Sequence, residues 1–168
     1  KGLLTKEEYE NEYYATLENK VNYEALFNNK VQILRKAFSR FDVKCEEFKN
    51  FVKKGNYSDF ALFMTIKEMN EYKAWQFWAP EYQQYSAELA KKIKTLHKED
   101  YYFWQWTQYE FELEWNKLHK YAKKNGIQIM GDMPLYVAYD SVEVWKTPEL
   151  FDLTEDKKPR LVAGCPPD

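Results

Sequence analysis

The sequence predicts a mainly α fold, a multi-helix body followed by one short parallel strand and a loop. Apolar residues recur at helical spacing through the first three quarters of the chain, and capping and stop residues stand at the ends of those runs. One β-branched run, Ile127-Gln128-Ile129-Met130-Gly131, then follows a helix-stop glycine, Gly126.

Each element has its own local cause. Thr5-Lys6-Glu7-Glu8 has capping-box spacing and predicts a helix to about Glu18. Asn22 caps a second helix, with Leu26, Phe27, Ile33, Leu34, Ala37 and Phe38 at turn spacing. A third spans about Lys44 to Lys54, and Gly55 ends it by supplying a left-handed residue. Ser58 stands where an N-cap belongs, opening a helix through Phe60, Phe63 and Met64 to about Tyr72.

Between Lys73 and Tyr85, Pro80 and the cluster Trp75, Phe77 and Trp78 predict an irregular, aromatic connection whose rings need a packing partner. From Ser86 to Asn125 the pattern is helical again, with a bend expected near Glu99 and Asp100. Trp104, Phe111, Trp115, Leu118 and Ala122 lie on one stripe. The lysines at 91–94 and 120–124 sit on helices with glutamates close by and read as solvated faces.

The run at 127–131 has the look of a buried parallel strand, yet such a strand needs flanking partners for its N–H and C=O groups. No other segment makes a convincing one. Phe151–Leu153 and Leu161–Ala163, joined by the turn-like Glu155-Asp156-Lys157-Lys158-Pro159, predict only a small hairpin. The chain therefore reads as a piece of something larger.

A net charge of −2 with 31% charged residues leaves no excess to draw in nucleic acid or anionic lipid, so neither is an expected partner. No run approaches the roughly 20 apolar residues a membrane helix needs. Cys45 and Cys165, the only cysteines, form no disulfide framework or zinc spacing, and the expected setting is cytoplasmic. Aromatic content is high at 18%. Rings build cores, and their flat faces also suit the C–H face of a sugar.

Metal and nucleophile patterns are missing. His97 and His119 stand far apart outside any metal motif, Cys165 has no histidine partner, and no Gly-x-Ser-x-Gly elbow or phosphate loop occurs. No metal ligand set, nucleophile elbow or phosphate-binding cofactor loop is therefore expected. The informative stretch is Gly131 to Ser141. Asp132 falls just past the end of the strand, where α/β barrels gather functional side chains, although a loop-capping aspartate would look the same. Asp140 or Ser141 is placed to cap a short helix carrying Val142, Val144 and Trp145, ending before Pro148.

The ordered series Gly126-Ile127-Gln128-Ile129-Met130-Gly131-Asp132-Met133-Pro134-Leu135-Tyr136-Val137, Asp140-Ser141-Val142-Glu143-Val144-Trp145, Pro148-Glu149-Leu150-Phe151 and Val162-Ala163-Gly164-Cys165-Pro166-Pro167-Asp168 resembles the amylomaltase family of 4-α-glucanotransferases. Tyr57 to Met64 and the helices from Leu3 resemble that family's helical insertion.

The resemblance implies a fragment of a TIM-type (β/α)₈ barrel enzyme, with residues 1–125 as insertion and residues 126–168 as the third barrel strand and its following loop. The implied reaction transfers α-1,4-glucan segments between maltooligosaccharides with retention. That needs a nucleophilic carboxylate and an acid/base roughly 5 Å apart, both borne on later strands outside this chain. The implied partners are the glucan substrate and the remainder of the polypeptide, with no cofactor, and the isolated chain is expected to be inactive.

By resemblance Asp132 supports the nucleophile's strand, and Asp168 opens a loop that folds over bound glucan. Pro134 and Tyr136 line the same region, where a place beside a barrel mouth explains them without sugar contact. Two residues depart from the pattern: Cys165 stands where Val is usual, and Lys157 where Gly is usual, which disturbs a turn that needs positive φ. Two other readings fit the composition: a non-catalytic maltooligosaccharide-binding module using Trp75 and Trp78, and a helical interaction domain.

Overall fold

The computed structural model describes residues 2–10, 16–17, 20–134, 136–162 and 164. It resolves into two compact units, Lys1–Lys54 and Gly55–Asp168.

In the first unit the capping box forms as predicted. Thr5 Oγ1 accepts the Glu8 N–H at 3.2 Å and Glu8 Oε2 accepts the Thr5 N–H at 2.9 Å, starting helix α1, Lys6–Glu10. Arg40 donates to both Glu8 oxygens at 2.7 and 2.8 Å and to the Leu3 carbonyl at 2.9 Å. The guanidinium holds the Glu8 carboxyl well below its ordinary range. The expected run of α1 to Glu18 is corrected in part. Thr16–Leu17 (β1) pairs antiparallel with Lys20–Val21 (β2), where Thr16 and Val21 carry the branching that suits strands, while residues 11–15 and 18–19 lie outside the described ones.

Helix α2, Tyr23–Phe38, starts where Asn22 Oδ1 accepts the Ala25 N–H at 3.1 Å, and it buries Ile33, Ala37 and Phe38. Helix α3, Glu46–Lys54, begins two residues later than expected, because residues 42–45 are held in a turn by the Asp42 carboxylate and carbonyl. It buries Phe48 and Phe51, with Phe41 edge-on to Phe48 at 5.4 Å. Gly55 follows at φ +77°, the left-handed stop the sequence predicts.

The second unit is built on helices α4 (Ser58–Met69), α5 (Ala87–Leu96) and α6 (Lys98–Lys124). Its core includes Ala61, Leu62, Phe63 and Ile66 from α4, Leu89, Ala90 and Ile93 from α5, and Tyr101, Phe103, Trp104 and Trp106 from α6. Ser58 is not the N-cap. Tyr57 occupies that position without a side-chain bond, and Ser58 Oγ instead meets Tyr101 Oη at 3.0 Å and accepts from Lys94 Nζ at 2.7 Å, pinning three helices together.

The break between α5 and α6 falls at His97, two residues before the expected bend, while Ser86 caps α5 through the Leu89 N–H at 3.0 Å. The predicted stripe on α6 is buried at Trp104 and Ala122, but Phe111, Trp115 and Leu118 are exposed. Length explains this. At about 1.5 Å per residue a helix the size of α6 far outruns α4 and α5, which cover its first turns.

Helix α4 ends at Met69, three residues short of the prediction, because Glu71 and Tyr72 take positive φ of 57° and 58°. The connection that follows contains two short 3₁₀ turns, Trp75–Phe77 and Pro80–Tyr82. Its rings find their partners inward: Trp75 and Trp78 are 1% and 2% exposed, while Phe77 points to solvent.

Residues 127–131 are corrected from strand to an irregular, exposed segment, with Met130 94% exposed. Among the described residues no strand lies beside it to accept a ladder, so the β-branched pattern has nothing to pair with. The predicted hairpin narrows to one antiparallel bridge, Leu153 with Pro159, just ahead of the predicted strand at Leu161, which is 81% exposed. Pro159 lacks an N–H and cannot extend a ladder.

Lys157 closes that turn at φ +60°. Lys157→Ala and Lys157→Gly both lose the lysine side chain, and only Gly adopts this φ without strain. The Gly variant is expected to be the more stable of the two by about 1 kcal/mol in urea unfolding. Equal stabilities would show that the turn does not hold residue 157 left-handed.

Candidate functional site

The stretch from Ile127 to Asp140 hangs between two fixed ends. At the first, Gly126 at φ +71° stops α6 and the Ile127 N–H returns to the Ala122 carbonyl at 3.0 Å. At the second, Trp75 Nε1 donates to the Tyr139 carbonyl at 2.9 Å, the Trp75 N–H donates to Asp140 Oδ1 at 3.2 Å, and Lys67 Nζ bonds Asp140 Oδ2. Ser141 then caps α7, Val142–Lys146, as one of the two sequence alternatives had it. Trp145, 1% exposed, fastens α7 by packing on Phe63, Trp78 and Tyr85 and donating to the Tyr82 carbonyl at 2.8 Å.

Between these ends lie the residues singled out by sequence. Asp132 is exposed, and its Oδ1 accepts the N–H of its neighbour Met133 at 2.8 Å. Pro134 is exposed, and Tyr136 is 65% exposed. Tyr136 alone among them enters a cavity, an open groove of about 440 Å³ whose walls include Tyr139, Val144, Phe151, Leu153 and Leu161. Asp132 and Pro134 do not line it, and Asp168 lies outside the described residues.

The Tyr139 hydroxyl is buried without a hydrogen-bond partner among the described residues, and burial pushes its phenol above the ordinary value. A second depression, about 480 Å³, is walled by Tyr57, Phe60, Gln108, Glu143 and the ion pair of Lys146 with Asp59 at 2.5 Å. Among the described residues no group of three or more His, Cys, Asp or Glu is placed to hold a metal, and no helix is long and apolar enough to cross a membrane.

Sequence reasoning missed the joint role of Lys67 and Asp140. They stand 73 positions apart, and Asp140 carried only a local signal, that of a helix cap. Nothing in a linear pattern links it to a lysine on α4.

The described residues thus present an exposed carboxylate, Asp132, and a separate groove with tyrosines in its walls, groups that do not by themselves name a substrate. Comparison with known proteins narrows this. The sequence model of the glycoside hydrolase 77 family, described as 4-alpha-glucanotransferase, matches residues 1–168. The chain is 38% identical over 172 residues to a 4-alpha-glucanotransferase of Clostridium butyricum, covering 100% of this chain and 35% of that protein. It is 41% identical over 148 residues to one of Aquifex aeolicus, covering 87% and 30%.

A solved structure described as amylomaltase from Streptococcus agalactiae in complex with acarbose superposes with a TM-score of 0.83 at 38% identity, over 99% of this chain and 35% of that one. The chain belongs to the 4-alpha-glucanotransferase family. It spans about a third of the length of the curated relatives it matches.

Proposed function

We propose that this chain is the part of a retaining 4-α-glucanotransferase that carries the helical insertion, residues 1–125, together with the third strand and following loop of a (β/α)₈ barrel, residues 126–168. One observation carries the reading. The whole chain matches about a third of the length of its relatives, and the β-branched segment 127–131 stands exposed with no strand beside it among the described residues. Neighbouring barrel strands would satisfy those backbone groups.

In the full protein a carboxylate from a later strand attacks the anomeric carbon while a second protonates the leaving oxygen. The second then deprotonates the 4-hydroxyl of an acceptor sugar, which displaces the enzyme carboxylate. Two inversions give retention. Asp132 supports the strand of the nucleophile, Asp168 opens a loop over the acceptor side, and Pro134 and Tyr136 shape the wall between. The substrates are α-1,4-glucans and no cofactor takes part. A cytoplasmic setting belongs to the same proposal, supported by the unpaired thiol of Cys45.

The test is direct. Maltotriose incubated with the full-length protein should give glucose and a ladder of longer maltooligosaccharides, and residues 1–168 alone should give neither. Transfer by the isolated chain, or hydrolysis without longer products by the full protein, would overturn the proposal.

A further inference from the structure

We propose that the depression walled by α4, α6 and α7 is a binding site for α-1,4-glucan. The choice of glucan as ligand rests on the function proposed above, while the site rests on its own residues.

The depression encloses about 480 Å³, within the roughly 300–1,000 Å³ of small-molecule sites. Tyr57 and Phe60 come from the start of α4, Gln108 from the middle of α6, and Glu143 and Lys146 from α7. These walls are held in place by bonds of their own. Ser58 Oγ meets Lys94 Nζ at 2.7 Å and Tyr101 Oη at 3.0 Å, which ties the start of α4 to α5 and α6. Lys146 Nζ meets Asp59 Oδ2 at 2.5 Å and lies 5.1 Å from the Tyr85 ring centroid, which ties α7 to α4. Phe60 packs edge-on to the buried Trp104 at 6.5 Å. A preformed wall spares a ligand the cost of ordering it.

The groups on offer suit a neutral polyol. Asp59 and Lys146 neutralise each other, so together they present no net charge. Among the described residues the Glu143 carboxylate and the Gln108 amide make no hydrogen bond or ion pair. A carboxylate accepts from two hydroxyls and an amide both donates and accepts, the pattern that neighbouring hydroxyls of a sugar ring require. The rings of Tyr57 and Phe60 add apolar area for its C–H face. With Asp59 paired, Glu143 alone is too little to hold a hard cation, and its charge repels phosphate.

Helix α7 links this site to the groove that Tyr136 enters. It gives Val142, Glu143 and Lys146 to the depression and Val144 to the groove. A glucan seated in the depression is therefore one short helix away from the groove, and a chain that reaches both gains the second contact as an intramolecular event.

Gln108→Ala and Glu143→Ala in the full-length protein test the site. The ratio of KM for amylose to KM for maltotriose should rise about threefold in each variant and about tenfold in the double variant, because a long chain loses a contact that a trisaccharide makes less use of. Retardation by amylose in native gels should weaken in the same order. Should an alanine variant melt early, Gln108→Met and Glu143→Gln, which keep the side-chain volume, carry the same expectation. An unchanged KM ratio, or gel retardation equal to that of the wild type, overturns the proposal. A wild-type protein that transfers nothing from maltotriose would instead sink the glucanotransferase reading, and the gels would still decide whether the depression binds glucan.

Discussion

Trp145→Ala is expected to destabilise the second unit by about 3–5 kcal/mol, a large share of the roughly 5–15 kcal/mol that holds a domain of this size together. The side chain is 1% exposed and meets Phe63, Trp78 and Tyr85 at ring separations between 5.5 and 5.8 Å. Truncation leaves a cavity among rings too large to collapse into it, and it strips the Tyr82 carbonyl of its indole donor at 2.8 Å. Phe77→Ala serves as the control. That smaller ring sits in the aromatic connection next to Trp78, on which Trp145 packs, and faces solvent, so its loss should change stability by less than about 0.5 kcal/mol. Urea denaturation followed by tryptophan-independent circular dichroism measures both. Similar losses for the two variants would mean that Phe77 is as firmly packed as Trp145, contrary to the packing described.

What could be read from sequence was whatever local chemistry decides. The Thr5–Glu8 box, the Asn22 cap and the Gly55 and Gly126 stops each need only residues within a turn of one another and stand as predicted, and of the two caps offered for α7 the structure uses Ser141. Some element ends shifted for local reasons, at Asp42 and at Glu71–Tyr72, while three larger misreadings have a distant cause. Ser58 had the right position for a cap but found better partners in Lys94 and Tyr101, more than thirty residues away. The α6 stripe at Phe111, Trp115 and Leu118 was correctly apolar, yet periodicity cannot say whether a neighbouring helix is long enough to cover it. The same gap explains 127–131. A β-branched run states a preference for pairing, and only a second strand can turn it into a sheet. Asp132, Pro134 and Tyr136 were singled out through an ordered motif, whereas the Lys67–Asp140 pair, 73 positions apart, has no motif to find.

Asp132→Asn in the full-length protein is expected to lower kcat for maltotriose transfer by about 10- to 100-fold while leaving the melting temperature unchanged within about 1 °C. The two halves of that expectation come from different observations. Stability should hold, because Asp132 is exposed and its described contact is with the adjacent Met133 N–H, a solvent-facing bond that an asparagine oxygen can also accept. Turnover should fall if the carboxylate supports the nucleophile's strand, since a hydrogen bond to a charged acceptor contributes roughly 1.5–3 kcal/mol against roughly 0.5–1.5 kcal/mol for a neutral one. Tyr136→Phe and Pro134→Ala bracket the result. Both occupy the same loop, and as wall residues they should alter kcat by less than about threefold. Initial rates of glucose release at saturating maltotriose, read beside melting curves, separate the cases. An Asp132→Asn enzyme of normal rate would reduce Asp132 to a loop residue, and a loss matched by Tyr136→Phe would move the functional weight from the carboxylate to the groove beside it.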